Sequence, residues 1–208
     1  MMETSLTIVG LGIALSTLAA ILWSIARPSQ RLWPPVRYSP LTPILVWIPT
    51  FVLFGALVAL GVLGWGELPI PQWFRFGAGI PLIVFGNTVV WSAVAGFGIQ
   101  KTGGAVGTLQ TGGFYRFSRN PQYLADIGMI LGWMVLTAAP LAILVGFAAI
   151  IVLAAAPFSE EPWLRSQYGS DFDKYAEHVR RFLWGQTKPQ SPCPAKPVRA
   201  AICEVSAL

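Results

Sequence analysis

The sequence predicts an all-α fold: a polytopic membrane bundle of about five transmembrane helices, followed by a cytoplasmic amphipathic helix. Three observations predict it. Of 208 residues, 54% are hydrophobic and only 11% charged, where a soluble domain carries about a quarter. The apolar residues gather into five runs, three of them long enough for the roughly 20 residues a span needs. The basic residues gather between runs in an alternating pattern, as the positive-inside rule requires.

The first run is about Ser5 to Ala26 and stops at Arg27-Pro28. It lacks the basic start and short apolar core of a signal peptide, so a retained helix is expected. The second is about Thr42 to Gly64 and the third about Phe74 to Phe97. The fourth, Gln122 to Ala138, and the fifth, Leu141 to Phe158, are shorter. Ala138-Ala139-Pro140 between them leaves room only for a helical hairpin turn. Asn87, in the third run, is expected to face inward and bond a neighbouring helix.

Arg27, Arg31 and Arg37 fall between runs one and two, and Lys101, Arg116 and Arg119 between three and four. Arg165, Lys174, Arg180 and Arg181 follow run five. The opposite side carries Glu3, Glu67 and, of the basic residues, Arg75. The rule then places the N-terminus outside and the C-terminus in the cytoplasm. The net charge of +5 is accounted for by these loops and does not call for nucleic acid. Nothing in the cysteine or histidine spacing suggests a metal.

From Ser159 to Trp184, apolar residues recur every three or four positions (Leu164, Tyr168, Phe172, Tyr175, Val179, Phe182), which predicts an amphipathic helix broken near Gly169. Ser159 is its expected cap, with Pro162 in its first turn. His178 reads as a surface residue, and the tryptophans, among them Trp65, Trp73, Trp133 and Trp184, read mostly as interfacial anchors. Residues 1–184 form one membrane domain with its catalytic half from about 100. Residues 185–208, with Cys193 and Cys203, read as a disordered tail.

Two stretches suggest chemistry. Asn120-Pro121 reads as a helix start, Asn as N-cap and Pro in the first turn. The free N–H groups there, with Arg116 and Arg119 just upstream, make an anion site. Gly103, Gly104, Gly107, Gly112 and Gly113 let backbone approach a ligand. The second stretch is Glu160-Glu161, two carboxylates able to accept hydrogen bonds from hydroxyls or face a cation. Both lie on the cytoplasmic side, flanking one hairpin, so they can converge on one ligand. Asp126, one turn into the fourth run and three residues from Tyr123, is an intramembrane acid and a functional candidate on that ground. It can hold a cationic headgroup or pair with Arg119.

"TGGFYRFSRNPQYLADIG", with "EEPWLRSQYGSDFDKYAEHVRRFL" after the hairpin, resembles the isoprenylcysteine carboxyl methyltransferase and phospholipid methyltransferase family. The resemblance covers roughly residues 107 to 184. It implies a membrane methyltransferase using S-adenosylmethionine at the cytoplasmic face on a lipophilic small molecule or lipid. By position it implies cofactor binding by Tyr115, Arg119, Asn120, Pro121, Tyr123, Glu160 and Glu161. Tyr168, Tyr175, Arg181 and Phe182 match the closing helix, and Asp126 and Arg181 are the expected catalytic residues. The family's usual His is Asn120 here, which cannot serve as an acid or base near neutral pH. Arg180 replaces the Pro before the closing Arg. Relatives resembling sterol reductases use a nicotinamide cofactor, but no dinucleotide glycine fingerprint is present. A non-enzymatic lipid-binding protein is the third expectation.

Overall fold

The computed structural model describes residues 1–36, 39, 41–97 and 108–182, with the side chains of 94–97 excepted. Arg37, Lys101, Gly103, Gly104, Gly107, Trp184 and the tail with its two cysteines lie outside the described residues.

Among the described residues there are six α-helices and no strand: α1 Met2–Ala26, α2 Thr42–Leu63, α3 Gln72–Phe97, α4 Pro121–Thr137, α5 Pro140–Tyr168 and α6 Ser170–His178. Four of them, α1, α2, α3 and α5, are long and apolar enough to cross a membrane. The fourth run of the sequence forms α4, of 17 residues.

Hydrogen bonds fix which connections share an end of the bundle. At one end, Gly66 and Leu68, between α2 and α3, donate their backbone N–H to the carbonyls of Thr137 and Ala138 at 2.7 and 3.0 Å. Arg75 lies there too, only 6% exposed. Its Nε donates to Leu136 O at 2.9 Å and its Nη2 to Thr137 O at 3.2 Å. The last carbonyls of a helix have no partner within it and carry its negative dipole end. Arg75 supplies both hydrogen bonds and charge to the end of α4. The basic residue that stood apart in the charge pattern is therefore a cap for another helix.

At the other end, the chain after α1 folds back. Ser24 Oγ accepts the N–H of Leu32 at 2.9 Å and of Trp33 at 3.0 Å, and Arg31 Nε donates to Pro34 O at 2.9 Å. This sets the Trp33 indole against α5, where Nε1 donates to Glu160 Oε1 at 2.7 Å. The α1–α2 connection, the start of α4 and the far part of α5 therefore meet at one end.

Inside a membrane, helices associate through close packing, and small residues permit it. A Cβ on Gly79 would lie 2.8 Å from Gly132 O, and one on Gly86 would lie 2.6 Å from Ala125 O. These glycines let α3 and α4 run backbone to backbone. Gly61 on α2 leaves room for the side chain of Trp133, whose Nε1 donates to Leu57 O at 3.1 Å. Trp133 is thus half-buried inside the bundle and is no interfacial anchor, unlike Trp73, which is 77% exposed.

Two expectations are corrected. Ser159 caps nothing: its hydroxyl donates to Ala156 O at 2.9 Å, within α5. The helix runs on through Pro157 and Pro162 to Tyr168, so the amphipathic element is only Ser170–His178. The break falls at Gly169, whose φ of +53° favours glycine. Asn87 faces outward, with Nδ2 donating at 3.0 Å to Ile83 O of its own helix. The expected surface position of His178 is found; it is exposed, with Nδ1 2.7 Å from Lys174 O.

Candidate functional site

The site is built where the segment before α4 lies beside the segment after α6. Gly113, at φ +60°, opens a short turn, Gly113–Arg116, that turns the chain toward α4. Arg119 N then donates to Arg180 O at 2.9 Å. Ser118 Oγ and Asn120 Nδ2 both donate to Arg181 O, each at 3.1 Å. Tyr175 OH donates to Tyr115 O at 2.5 Å. Asn120 does precede α4, but its side chain makes no cap bond to that helix. One of its amide N–H groups goes instead to the closing segment.

Glu161 holds this junction together. Arg181 grips it with two bonds, Nε to Oε1 at 2.8 Å and Nη2 to Oε2 at 2.6 Å. Arg119 adds Nε and Nη2 to Oε1 at 3.2 and 2.9 Å. Paired donors on a carboxylate are among the strongest side-chain hydrogen bonds. The Glu161 hydrogen bond raises the Arg181 pKa above its ordinary value. Arg119 also donates through Nη1 to Ala176 O at 3.0 Å and Val179 O at 3.1 Å. One carboxylate facing two guanidiniums leaves the cluster with a net charge of +1. The expected pairing of Arg119 with Asp126 does not occur, because the guanidinium is turned toward α5 and the end of α6.

Glu160 does something else. Its Oε1 accepts both Trp33 Nε1 and Tyr123 OH. The adjacent acids therefore point apart, one to neutral donors on the α1–α2 connection and α4, the other to two cations. Trp33 lies outside the stretch that resembles a family. The sequence signal for it was only an aromatic residue in a basic loop on the correct side.

A cavity of about 100 Å³ lies over the junction, lined in part by Tyr115, Arg119, Asn120, Glu161, Tyr168 and Tyr175. A second cavity of about 340 Å³ shares Gln110 and Tyr115 with it and reaches Ser92 and Ala93 on α3. Of the sequence-predicted residues, Tyr115, Arg119, Asn120 and Glu161 line the first cavity. Pro121, Tyr123 and Glu160 do not line it. Asp126 lines neither cavity. It is half-buried and, among the described residues, accepts no hydrogen bond or ion pair. Burial raises the pKa of the Tyr115 and Tyr175 phenols, the charge of Glu160 adding to the effect at Tyr115. Both stay protonated and can donate. Gln122, missed in the sequence, accepts Tyr115 OH at 3.2 Å. No group of three or more metal-ligating side chains occurs among the described residues.

The comparisons with known proteins bear on the same region. The chain is similar to Steroid 5-alpha-reductase DET2 of Solanum lycopersicum, 32% identical over 117 residues, which is 54% of this chain and 44% of that protein. The chain thus spans less than half the length of this curated relative. No solved structure matches. Residues 74–171 match the sequence model of the family described as phospholipid methyltransferase. That match runs from α3 through the Glu160-Glu161 pair and stops before Arg181.

Proposed function

We propose that this chain is a membrane-embedded methyltransferase that uses S-adenosylmethionine on a lipophilic acceptor. The observation that carries the reading is the Arg119–Glu161–Arg181 cluster, which joins the two motif segments around one cavity. When bound, S-adenosylmethionine supplies a methyl group already activated by its sulfonium charge. The residues present suit its carboxylate end. The net positive charge of the Arg119–Glu161–Arg181 cluster and the second amide N–H of Asn120 would hold a carboxylate. Tyr168 and Tyr175 offer aromatic walls. At about 100 Å³ the first cavity is smaller than the roughly 300 Å³ of an ordinary ligand pocket. It takes one end of such a molecule, and the adjoining cavity of about 340 Å³ gives room for the rest or for the acceptor.

Protein side chains in such a reaction orient the partners and exclude water. A carboxylate acceptor needs no base. An amine acceptor has to be neutral when it attacks. In this reading Arg181 acts by fixing Glu161. The bundle lies with its N-terminus outside and the site at the cytoplasmic face, as supported by Arg27, Arg31, Arg116, Arg119 and Arg181 at the Trp33–Glu160 end. In the same reading α4 is a fifth span.

A second reading is favoured by one observation, the similarity to a steroid reductase. It makes the chain a reductase using a nicotinamide cofactor. Parallel calorimetric titrations of purified protein with S-adenosylmethionine and NADPH decide between the two. The first reading expects heat with S-adenosylmethionine that Asn120→Ala reduces. Saturable binding of NADPH alone would reverse the choice.

A further inference from the structure

The α3 helix packs against α4 through Gly79 and Gly86. The side turned away carries a second stripe: Trp73, Gly77, Ile80, Val84, Asn87 and Trp91. Their spacing is four, three, four, three, four, the repeat by which one helix meets another along a seam. All six are exposed, and a Cβ on Gly77 would meet nothing within 4 Å.

Five of these residues suit acyl chains. Asn87 does not. It lies inside the candidate span Gln72–Ala93, more than a helical turn from either end. One amide N–H is used on Ile83 O, and among the described residues the side chain makes no other hydrogen bond. Its carbonyl oxygen and second N–H face a medium with no partner to offer. An amide both donates and accepts, so it is complementary to its own copy across a two-fold axis. A single Asn in an apolar seam sets register and oligomeric state, and a two-fold interface uses the same patch on both subunits.

We propose that α3 is a homodimer interface, in which Asn87 hydrogen-bonds to Asn87 of a second copy of this chain. Gly77 allows close approach near one end of the seam. This is independent of the reaction catalysed.

The test uses the full chain in lipid vesicles, with Cys193 and Cys203 replaced by serine. Ile80→Cys and Val84→Cys place thiols on the seam. Phe85→Cys, on another exposed flank of α3, is the control. Oxidation is expected to trap a dimer through residues 80 and 84 and not through 85. Energy transfer between labelled copies, followed as lipid dilutes them, is expected to show Asn87→Leu dimerising about tenfold more weakly, with Asn87→Gln nearer the parent. A protein monomeric at every dilution, equal trapping through residue 85, or an Asn87→Leu dimer as tight as the parent overturns the proposal.

Discussion

Glu160 and Glu161 are adjacent on α5 and serve different partners: Glu160 accepts hydrogen bonds from Trp33 and Tyr123, and Glu161 binds Arg119 and Arg181. A turn of about 100° between successive helical residues separates them. One acid ties the first connection of the chain to the bundle. The other ties its last described segment to the cavity wall.

Removing Glu161 leaves two guanidiniums facing each other without a counter-charge. Breaking a buried pair from one side costs about 3–5 kcal/mol. Arg181 is about a third exposed, so the lower end applies. Glu161→Ala is expected to lower the midpoint of unfolding in detergent, and Arg119→Met to lower it less because Arg181 still neutralises Glu161. Thermal unfolding followed by tryptophan fluorescence checks the order. An unchanged midpoint in Glu161→Ala would remove the cluster from the account of stability.

Trp33→Phe removes one donor to Glu160, and Tyr123→Phe removes the other. Each loss at a charged acceptor is expected to cost about 1–3 kcal/mol. The two share one oxygen, so their effects should not add. A double-mutant cycle in denaturant reads the coupling. Strict additivity would mean that the donors act separately.

Arg75 should matter for stability and not for the site. Arg75→Leu leaves the carbonyls of Leu136 and Thr137 at the end of α4 without those donors, and a loss of about 2–3 kcal/mol is expected. Cofactor affinity, measured on the fraction still folded, should stay unchanged, because the site lies at the other end of the bundle. A marked loss of affinity would show that the two ends are coupled.

Close helix contact predicts which glycines tolerate a methyl group. Gly86→Ala would push into Ala125 O and Met129 Cγ, at 2.6 and 2.4 Å from the new Cβ. Overpacking of this kind costs about 1–3 kcal/mol. Gly128→Ala meets nothing within 4 Å and should be neutral. Unfolding midpoints of the two variants, side by side, check the α3–α4 contact.

Much of this was legible in the sequence. Each apolar run forms a helix because apolar composition and length are one-dimensional properties. The meeting of "SRNPQY" with the Glu pair was legible because both flank one short hairpin. The continuation of α5 to Tyr168 was not. Ser159 and Pro162 look like a helix start in a soluble protein, but here packing carries the helix through both. Arg75 and Trp33 gave no local signal, since each acts on a helix far away in the chain. A polar residue inside a span usually faces inward, and Asn87 does not; which face α3 turns to α4 is decided by Gly79 and Gly86.

Methyl transfer itself tests the central claim most directly. Membranes containing the protein are supplied with S-adenosylmethionine carrying a labelled methyl group, and the lipid extract is counted. The account predicts label in a lipophilic product, released by alkali if an ester and retained if an N-methyl compound, and greatly reduced in Asn120→Ala. No label in any fraction, with NADPH consumed by the same membranes only when the protein is present, would contradict it.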